Sequence, residues 1–257
     1  MRVAILSRNG NLYSTKRLVE ACEDRGHDAD VIDPLKCTLV MEKSNPAIIY
    51  KGHVLPHYDA VIPRIGASVT FYGSAVVRQF EMQKVFSAVE TQALIRSRDK
   101  LRSLQILSRA GLDLPKTVFT NYSRDTDSIL HAVGGAPVII KLLEGTQGLG
   151  VVLAENEKAA ASVIEAFHGL KARVIVQEFV KEAKGADIRA FVVDGKVVGA
   201  MKRQAKEGEF RSNLHRGSTA TIIKLSRKEN AAAILETKKL GLGVAGVDML
   251  QSKRGQL

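Results

Sequence analysis

The stretch VIIKLLEGTQGLGVVLAE, residues 138–155, constrains the fold more than any other. Two apolar runs rich in β-branched residues flank a loop that carries Gly145, Gly148 and Gly150. Glycines let backbone N–H groups approach phosphate oxygens and let a loop move. A Walker A loop would need Gly-Lys-Ser/Thr opening a helix, whereas these glycines lead into VVLAE, which prefers strand. The stretch therefore reads as strand, glycine-rich lid, strand, with a plain long hairpin turn as the competing reading. Lys141 ends the strand that enters the loop, and Lys100 begins a preceding helix in RDK. Two cations near one glycine lid suit a triphosphate.

Upstream, MRVAILS reads as a buried parallel strand, TKRLVEACEDRGH as a helix and DADVID as a second strand, together a βαβ unit. IIYKGHVLP reads as a small hairpin, YDAVIPRIG as a strand and FYGSAVVRQFEMQKV as a helix. Residues 1–95 are thus expected to form an α/β domain of their own. Its first loop, Ser7-Arg8-Asn9-Gly10-Asn11, lacks the GxGxxG dinucleotide fingerprint, so a scaffold that contributes a substrate wall is the better reading. Arg8, Asn9 and Arg64 are candidates for meeting a carboxylate, against a solvated loop or a structural ion pair.

Downstream, residues 96–112 read as one helix, PKTVFT as a strand, and TDSILHAVGG as a short helix capped by Asp127 or Ser128. EKAAASVIEAFHGL reads as a helix and RVIVQEFV as a buried strand. IRAFVVDGKVVGAMKR is the clearest hairpin, with Asp194-Gly195 as a type I′ turn. EGEFRSNLHRGSTAT reads as a polar, basic loop, KENAAAILETKKLGL as a helix and AGVDMLQS as a strand. The expected divisions are 1–95, 96–183 with the lid, and 184–257.

Composition narrows the classes. A chain of 257 residues suits two domains. The absence of Trp and an aromatic content of 5% argue against a stacking platform for single-stranded nucleic acid. Met1–Leu6 is too short for a signal-peptide core, and no apolar run reaches the ~18 residues of a membrane span. Cys22 and Cys37 form no CxxC, which fits a reducing cytoplasm without structural disulfides. The net charge of +11, spread along the chain, favours attraction to anions, RNA among them.

The order of Lys100, Lys141, the glycine lid, Gln177-Glu178, Asp187, Arg203, Arg211, Asn213 and Asp248 resembles the ATP-grasp superfamily. Within it, the chain resembles the RimK family of ribosomal-protein glutamate ligases over essentially its whole length. EGTQGLGV and EGEFRSNLHRG are the most specific segments; AILSRNGNLYS, YKGHVLPHYDAVIPRIG, RDKLRS, VQEFVKEAKGADIRAFVV and VAGVDML add to them.

The resemblance implies an α/β and α+β chain: an ATP-grasp fold behind an N-terminal Rossmann-like pre-ATP-grasp domain. It implies that Lys100 and Lys141 contact ATP phosphates, with Gly145, Gly148 and Gly150 in the lid. Glu178 and Phe179 are expected at the nucleoside, Asp187 at the ribose, and Arg211, Ser212 and Asn213 in a loop that meets ATP. Arg203 and Arg211 are the expected catalytic cations, and Asp248 a ligand of Mg²⁺ or Mn²⁺. His215 reads as an ordinary histidine rather than a base. The implied reaction joins L-glutamate to the acidic C-terminal tail of the sixth protein of the small ribosomal subunit through an acyl phosphate, or makes short polyglutamate. Ribosomal RNA attraction is a secondary implication, and a cytoplasmic homo-oligomer is expected. A ligase for a small molecule or amino-group carrier protein, a basic ribosome- or RNA-associated binding protein, and a nucleotide-responsive module are the rival readings. The resemblance also implies a strand beyond Leu257 whose glutamate and asparagine complete the metal site, so that the 257-residue form is expected to be inactive.

Overall fold

The computed structural model describes residues 1–121, 125–144, 150–213 and 217–252. The chain forms two compact units, Met1–Arg98 with Gly241–Val244, and Asp99–Leu240 with Ala245–Leu257. Among the described residues, no helix is long and apolar enough to cross a membrane.

The first unit runs β1 (Arg2–Leu6), α1 (Tyr13–Glu23), β2 (Asp28–Ile32), β3 (Cys37–Val40), β4 (Ala47–Tyr50), β5 (His53–Val54), β6 (Ala60–Pro63), α2 (Thr70–Met82), β7 (Phe86–Ser87) and α3 (Thr91–Arg98). A parallel sheet has the order β2-β1-β6-β7. Strand β1 is an unbroken apolar run because both its faces are covered. Val3 and Ile5 pack with Cys22, Leu18 and Val19 of α1, while Ala4 and Leu6 join Val76, Val77 and Phe80 of α2. The hairpin expected in IIYKGHVLP, residues 48–56, forms as β4 and β5, and β4 also pairs antiparallel with β3, a strand that the sequence pattern did not single out.

The second unit runs α4 (Lys100–Arg109), β8 (Thr117–Phe119), α5 (Thr126–Val133), β9 (Val138–Leu142), β10 (Val151–Ala154), α6 (Glu157–Gly169), β11 (Val174–Glu178), β12 (Ala186–Val193), β13 (Lys196–Gln204), β14 (Thr219–Ile222), α7 (Arg227–Leu240) and β15 (Val244–Met249). Two four-stranded sheets result, ordered β10-β9-β11-β8 and β14-β13-β12-β15. Helices α5 and α6 cover one face of the first through Ile129, Leu130, Val133 and Ile164, packed on Val138, Ile140 and Val176. Helix α7 covers one face of the second, where Ala233 meets Ile188, Ala190, Val192, Val247 and Met249. Strand β12 alternates buried and less buried residues along its length, the period of a sheet with one face packed.

Three local expectations are corrected. The single helix expected over 96–112 is two, because Asp99 is extended and its carboxylate accepts from Arg102 N, capping α4. Helix α5 is capped by Asp125, which accepts from Ser128 N, rather than by Asp127 or Ser128. Residues 219–221, expected in a loop, form β14 with Ile222 by pairing with Met201–Gln204, a partnership invisible to local composition. Asp194 and Gly195 do adopt φ of 47° and 68°, the left-handed pair that a type I′ turn requires.

The cap assignment makes a discriminating prediction. Asp125→Ala is expected to lower the denaturant midpoint of unfolding, and Asp127→Ala to leave it close to the parent's.

Candidate nucleotide and phosphate site

Each sheet of the second unit leaves one face uncovered by its helices among the described residues, and Lys141, Asp187, Arg203 and Asp248 lie on those faces. On β9, Ile140 points into the helix-covered core, so its neighbour Lys141 points the other way. Lys141 Nζ donates to Gln177 Oε1 at 2.5 Å, and Gln177 Nε2 donates to Thr117 Oγ1 at 2.8 Å. Lys100, in the first turn of α4, donates from Nζ to the carbonyls of Leu142 at 2.7 Å and Leu143 at 3.0 Å. Both cations are thus gathered at the root of the lid. Burial, and then the charge of Lys100, push the pKa of Lys141 down to about 8. Burial also lowers that of Lys100.

Gly150 opens the return strand at a φ of 66°, where a Cβ would collide with the Leu142 side chain. Its carbonyl accepts from Leu142 N at 2.9 Å, closing the base of the lid. The lid glycines Gly145 and Gly148 lie outside the described residues, as does His215.

On the second sheet, Asp187 and Arg203 are direct cross-strand partners. Arg203 is 3% exposed, and its Nε donates to Asp187 Oδ1 at 2.7 Å while Nη2 donates to Asp187 Oδ2. The same Nη2 donates to Asp248 Oδ1 at 3.1 Å. Arg189, two residues from Asp187 on the same face of β12, grips Asp248 with Nε at 2.7 Å and Nη2 at 2.6 Å. Burial disfavours the charged Arg203, yet the two carboxylates outweigh it and raise its pKa.

A cavity of about 750 Å³ is lined by Lys100, Lys141, Gln177, Asp187, Asp248 and Glu236, together with apolar residues of α4 and α7. A second, of about 400 Å³, is lined by Glu178, Phe179, Val180, Lys116 and the 134–137 turn. There Glu178 Oε1 accepts from Lys116 N at 3.0 Å, while Glu178 N donates to Lys116 O at 2.9 Å. Arg211, Ser212 and Asn213 lie in the segment between β13 and β14 and are partly buried. Glu209 Oε1 accepts from Arg211 Nε at 2.9 Å and Oε2 from Nη2 at 2.8 Å, and the guanidinium stands 5.1 Å from the Phe210 ring centroid. Hydrogen bonding from Arg211 pushes Glu209 down to about 2.

The residues fit a nucleotide triphosphate: two mutually repelling lysines share a large cavity at the root of a glycine loop. They fit a protein-only metal cage poorly. Mg²⁺ takes six oxygens. Asp248 offers one carboxylate whose oxygens accept from arginines, and among the described residues no group of three or more His, Cys, Asp or Glu is placed to hold a metal.

Sequence reasoning missed Arg189, Glu209 and Glu236. Arg189 was legible by its period-2 spacing from Asp187, and Glu209 by standing two residues before Arg211 in EGEFRSN. Nothing in the sequence pointed to Glu236, a position on α7 that only packing brings to the cavity.

An antiparallel sheet whose β9–β10 connection carries the glycine-rich sequence, with a second sheet presenting a charged face, is the ATP-grasp architecture. Residues 97–257 match the family model of the RimK-like ATP-grasp domain and residues 1–94 that of the RimK PreATP-grasp domain. The chain is 64% identical over 255 residues to a protein named "Probable alpha-L-glutamate ligase" of Vibrio vulnificus (strain YJ016), which covers 99% of this chain and 85% of that relative. A protein of the same name from Vibrio parahaemolyticus serotype O3:K6 (strain RIMD 2210633) matches with the same identity and coverage. The ATP-grasp ligase PsnB, solved with a phosphomimetic variant of minimal precursor, Mg and ADP, shares the fold at a TM-score of 0.74 and 21% identity, over 99% of this chain and 87% of PsnB. The chain belongs to the RimK family of ATP-grasp ligases.

Glu236 carries a pH prediction. Burial, and then the Asp248 charge, push its carboxyl from 4.5 up to about 7. A raised folded pKa gives stability that is complete below about 4.5 and is lost as the pH rises through 7. Glu236→Gln, which stays neutral, is expected to be more stable than the parent at pH 8 by on the order of 1–3 kcal/mol. In metal-free unfolding titrations the difference should shrink towards zero as the pH falls to about 4.5.

Proposed function

We propose that this chain is an ATP-dependent carboxylate–amine ligase that adds L-glutamate to the acidic C-terminal tail of the sixth protein of the small ribosomal subunit. The observation that carries the reading is the Lys100–Lys141 pair. Burial, and then the charge of Lys100, hold the pKa of Lys141 down to about 8, so an anion placed beside it is favoured. A triphosphate supplies such an anion.

A carboxylate is a poor electrophile towards an amine at neutral pH. In the proposed reaction the acceptor carboxylate attacks the γ-phosphorus of ATP, giving an acyl phosphate and ADP. The glutamate amine attacks the acyl carbon, phosphate leaves, and the amine loses a proton as the amide forms. Both steps build negative charge on oxygen, which fixed cations stabilise best when water is excluded. Lys100 and Lys141 are assigned to the phosphates, and the lid with Gly145, Gly148 and Gly150 to covering them. Glu178 and Phe179 are assigned to the nucleoside, with the 400 Å³ cavity beside them in support. Arg211 is assigned, with Ser212 and Asn213, to the nucleotide, and the Glu209 clamp that orients it supports this. Asp187 is assigned to the ribose side, and Arg203 to holding Asp187 and Asp248 in place beside the phosphates. Mg²⁺ or Mn²⁺, bound through nucleotide oxygens with Asp248 as a protein ligand, would neutralise phosphate charge. The net charge of +11 supports an acidic acceptor.

The phosphate assignment predicts a proton signature. An anion beside Lys141 raises its pKa, so ATP binding near pH 8 should be accompanied by proton uptake. Titration calorimetry in buffers of different ionisation enthalpy measures it. Lys141→Met is expected to abolish the uptake and weaken ATP binding at least tenfold, as charged hydrogen bonds are worth about 1.5–3 kcal/mol.

The decisive assay incubates the protein, carrying its natural C-terminus, with ATP, Mg²⁺, glutamate and the ribosomal protein and reads the acceptor's intact mass. A ladder of glutamyl additions is the expected result. An unchanged mass together with glutamate-dependent phosphate release would move the acceptor elsewhere. With neither, the ligase reading fails.

A further inference from the structure

In the first unit, β1 is followed in sequence by β2 on one side and has β6 on the other. The strand order reverses there, and open α/β sheets bind ligands outside the carboxyl ends of their strands at such a point. The segments leaving β1 and β6 at that edge carry Arg8 and Arg64. Arg64 N donates to Leu6 O at 2.9 Å, joining the two segments, and its Nη2 donates to Ser14 Oγ at 2.7 Å. Arg98, the last residue of α3, donates from Nη2 to Ile65 O at 2.6 Å, which brings a third guanidinium to the same loop.

Among the described residues, no carboxylate pairs with these charges. Residues 7–15 and 63–71 contain neither Asp nor Glu. Among the described residues, none of Arg8, Arg64 and Arg98 forms an ion pair. Burial lowers the pKa of Arg98, with no anion to oppose it. At the opposite end of β1, Arg2 has the counter-ion that these three lack, Asp30 at 2.9 Å. Among the described residues, Arg64 and Arg98 each donate one side-chain hydrogen bond, to a hydroxyl and to a carbonyl, out of the five N–H donors of a guanidinium. The free geometry of such a fork matches a carboxylate bidentately.

We propose that this sheet edge is a carboxylate site for the glutamyl substrate, with Arg64 and Arg98 as its cations and Arg8 beside them. The assignment rests on the ligase reading for the identity of that substrate, which reaches the edge as free L-glutamate or as the acidic peptide tail.

The test titrates the whole protein, without nucleotide, with L-glutamate and separately with a short glutamate-rich peptide, following amide shifts by NMR. Inorganic phosphate serves as the comparison anion. Saturable binding of at least one carboxylate ligand is expected, weakened about tenfold or more in Arg64→Ala and in Arg98→Ala. The ligand that weakens identifies the source. Arg64 is exposed, so its variant should keep the parent's thermal midpoint and remain interpretable if Arg98→Ala fails to fold. Absent binding, unchanged binding in Arg64→Ala, or equal affinity for phosphate would each overturn the site. Phosphate release separates this from the parent reading. Glutamate-dependent release whose KM for glutamate and for the peptide is unmoved by Arg64→Ala keeps the ligase and removes the site. No release by the unsubstituted protein removes the ligase, and the titrations still decide the site.

Discussion

A buried guanidinium organises the second unit. Arg203 reaches from β13 to Asp187 on β12 and on to Asp248 on β15, and it is almost fully withdrawn from water. Desolvating a cation costs several kcal/mol, which the two carboxylates must offset. They do so only if the strands keep their register, because Asp187 and Arg203 face each other across the ladder. The register that aligns these charges also turns Ile188, Ala190 and Val192 towards α7. Charge pairing on one face and apolar packing on the other therefore favour a single arrangement. Arg189 then fixes the remaining oxygen of Asp248. The polar face is set before any ligand arrives, which is what electrostatic preorganisation requires.

The sheet that carries the lid is built on the opposite balance. Lys141 has a neutral amide as its hydrogen-bond acceptor, and Lys100 is tied to backbone carbonyls. The two ammonium groups oppose one another. One half of the unit thus pairs its cations with carboxylates, while the other gathers two lysines at the base of the glycine loop. Gly150 keeps the loop's return tight, since its left-handed backbone and the nearby Leu142 side chain leave no room for a Cβ. Arginines also gather at the carboxyl edge of the parallel sheet in the first unit, where Arg64 reaches Ser14 and Arg98 reaches Ile65 O.

Most secondary structure was legible because local patterns and tertiary packing agreed. Strand β1 read as buried on both faces and is so, and Asp194-Gly195 formed the turn that its residue types favour. The misses share a cause. Asp99 and Asp125 end or begin helices through one side-chain bond each, which competes with helical continuation and is easily placed a residue or two wrong. Strand β14 exists because β13 offers it an edge, and TATI alone does not announce that. At the site, the chemistry-bearing residue types stood out, but their partners did not. Asp187, Arg203 and Asp248 looked like three separate candidates and form one network.

The sequence by itself determined the lid's strand–loop–strand character, the βαβ start, the central hairpin and the family. Each of these is written in short-range periodicity, in turn residues with special backbone angles, or in motifs long enough to be specific. Only the tertiary structure decided which charges are spent on one another and which remain available. Arg203 and Arg211 are held by carboxylates, Lys100 and Lys141 crowd each other, and Glu236 is raised by burial and then by Asp248, twelve residues away on another element. The physical reason is that a charge's energy depends on burial and on distances of a few ångströms, quantities that exist only once distant segments of the chain have packed together.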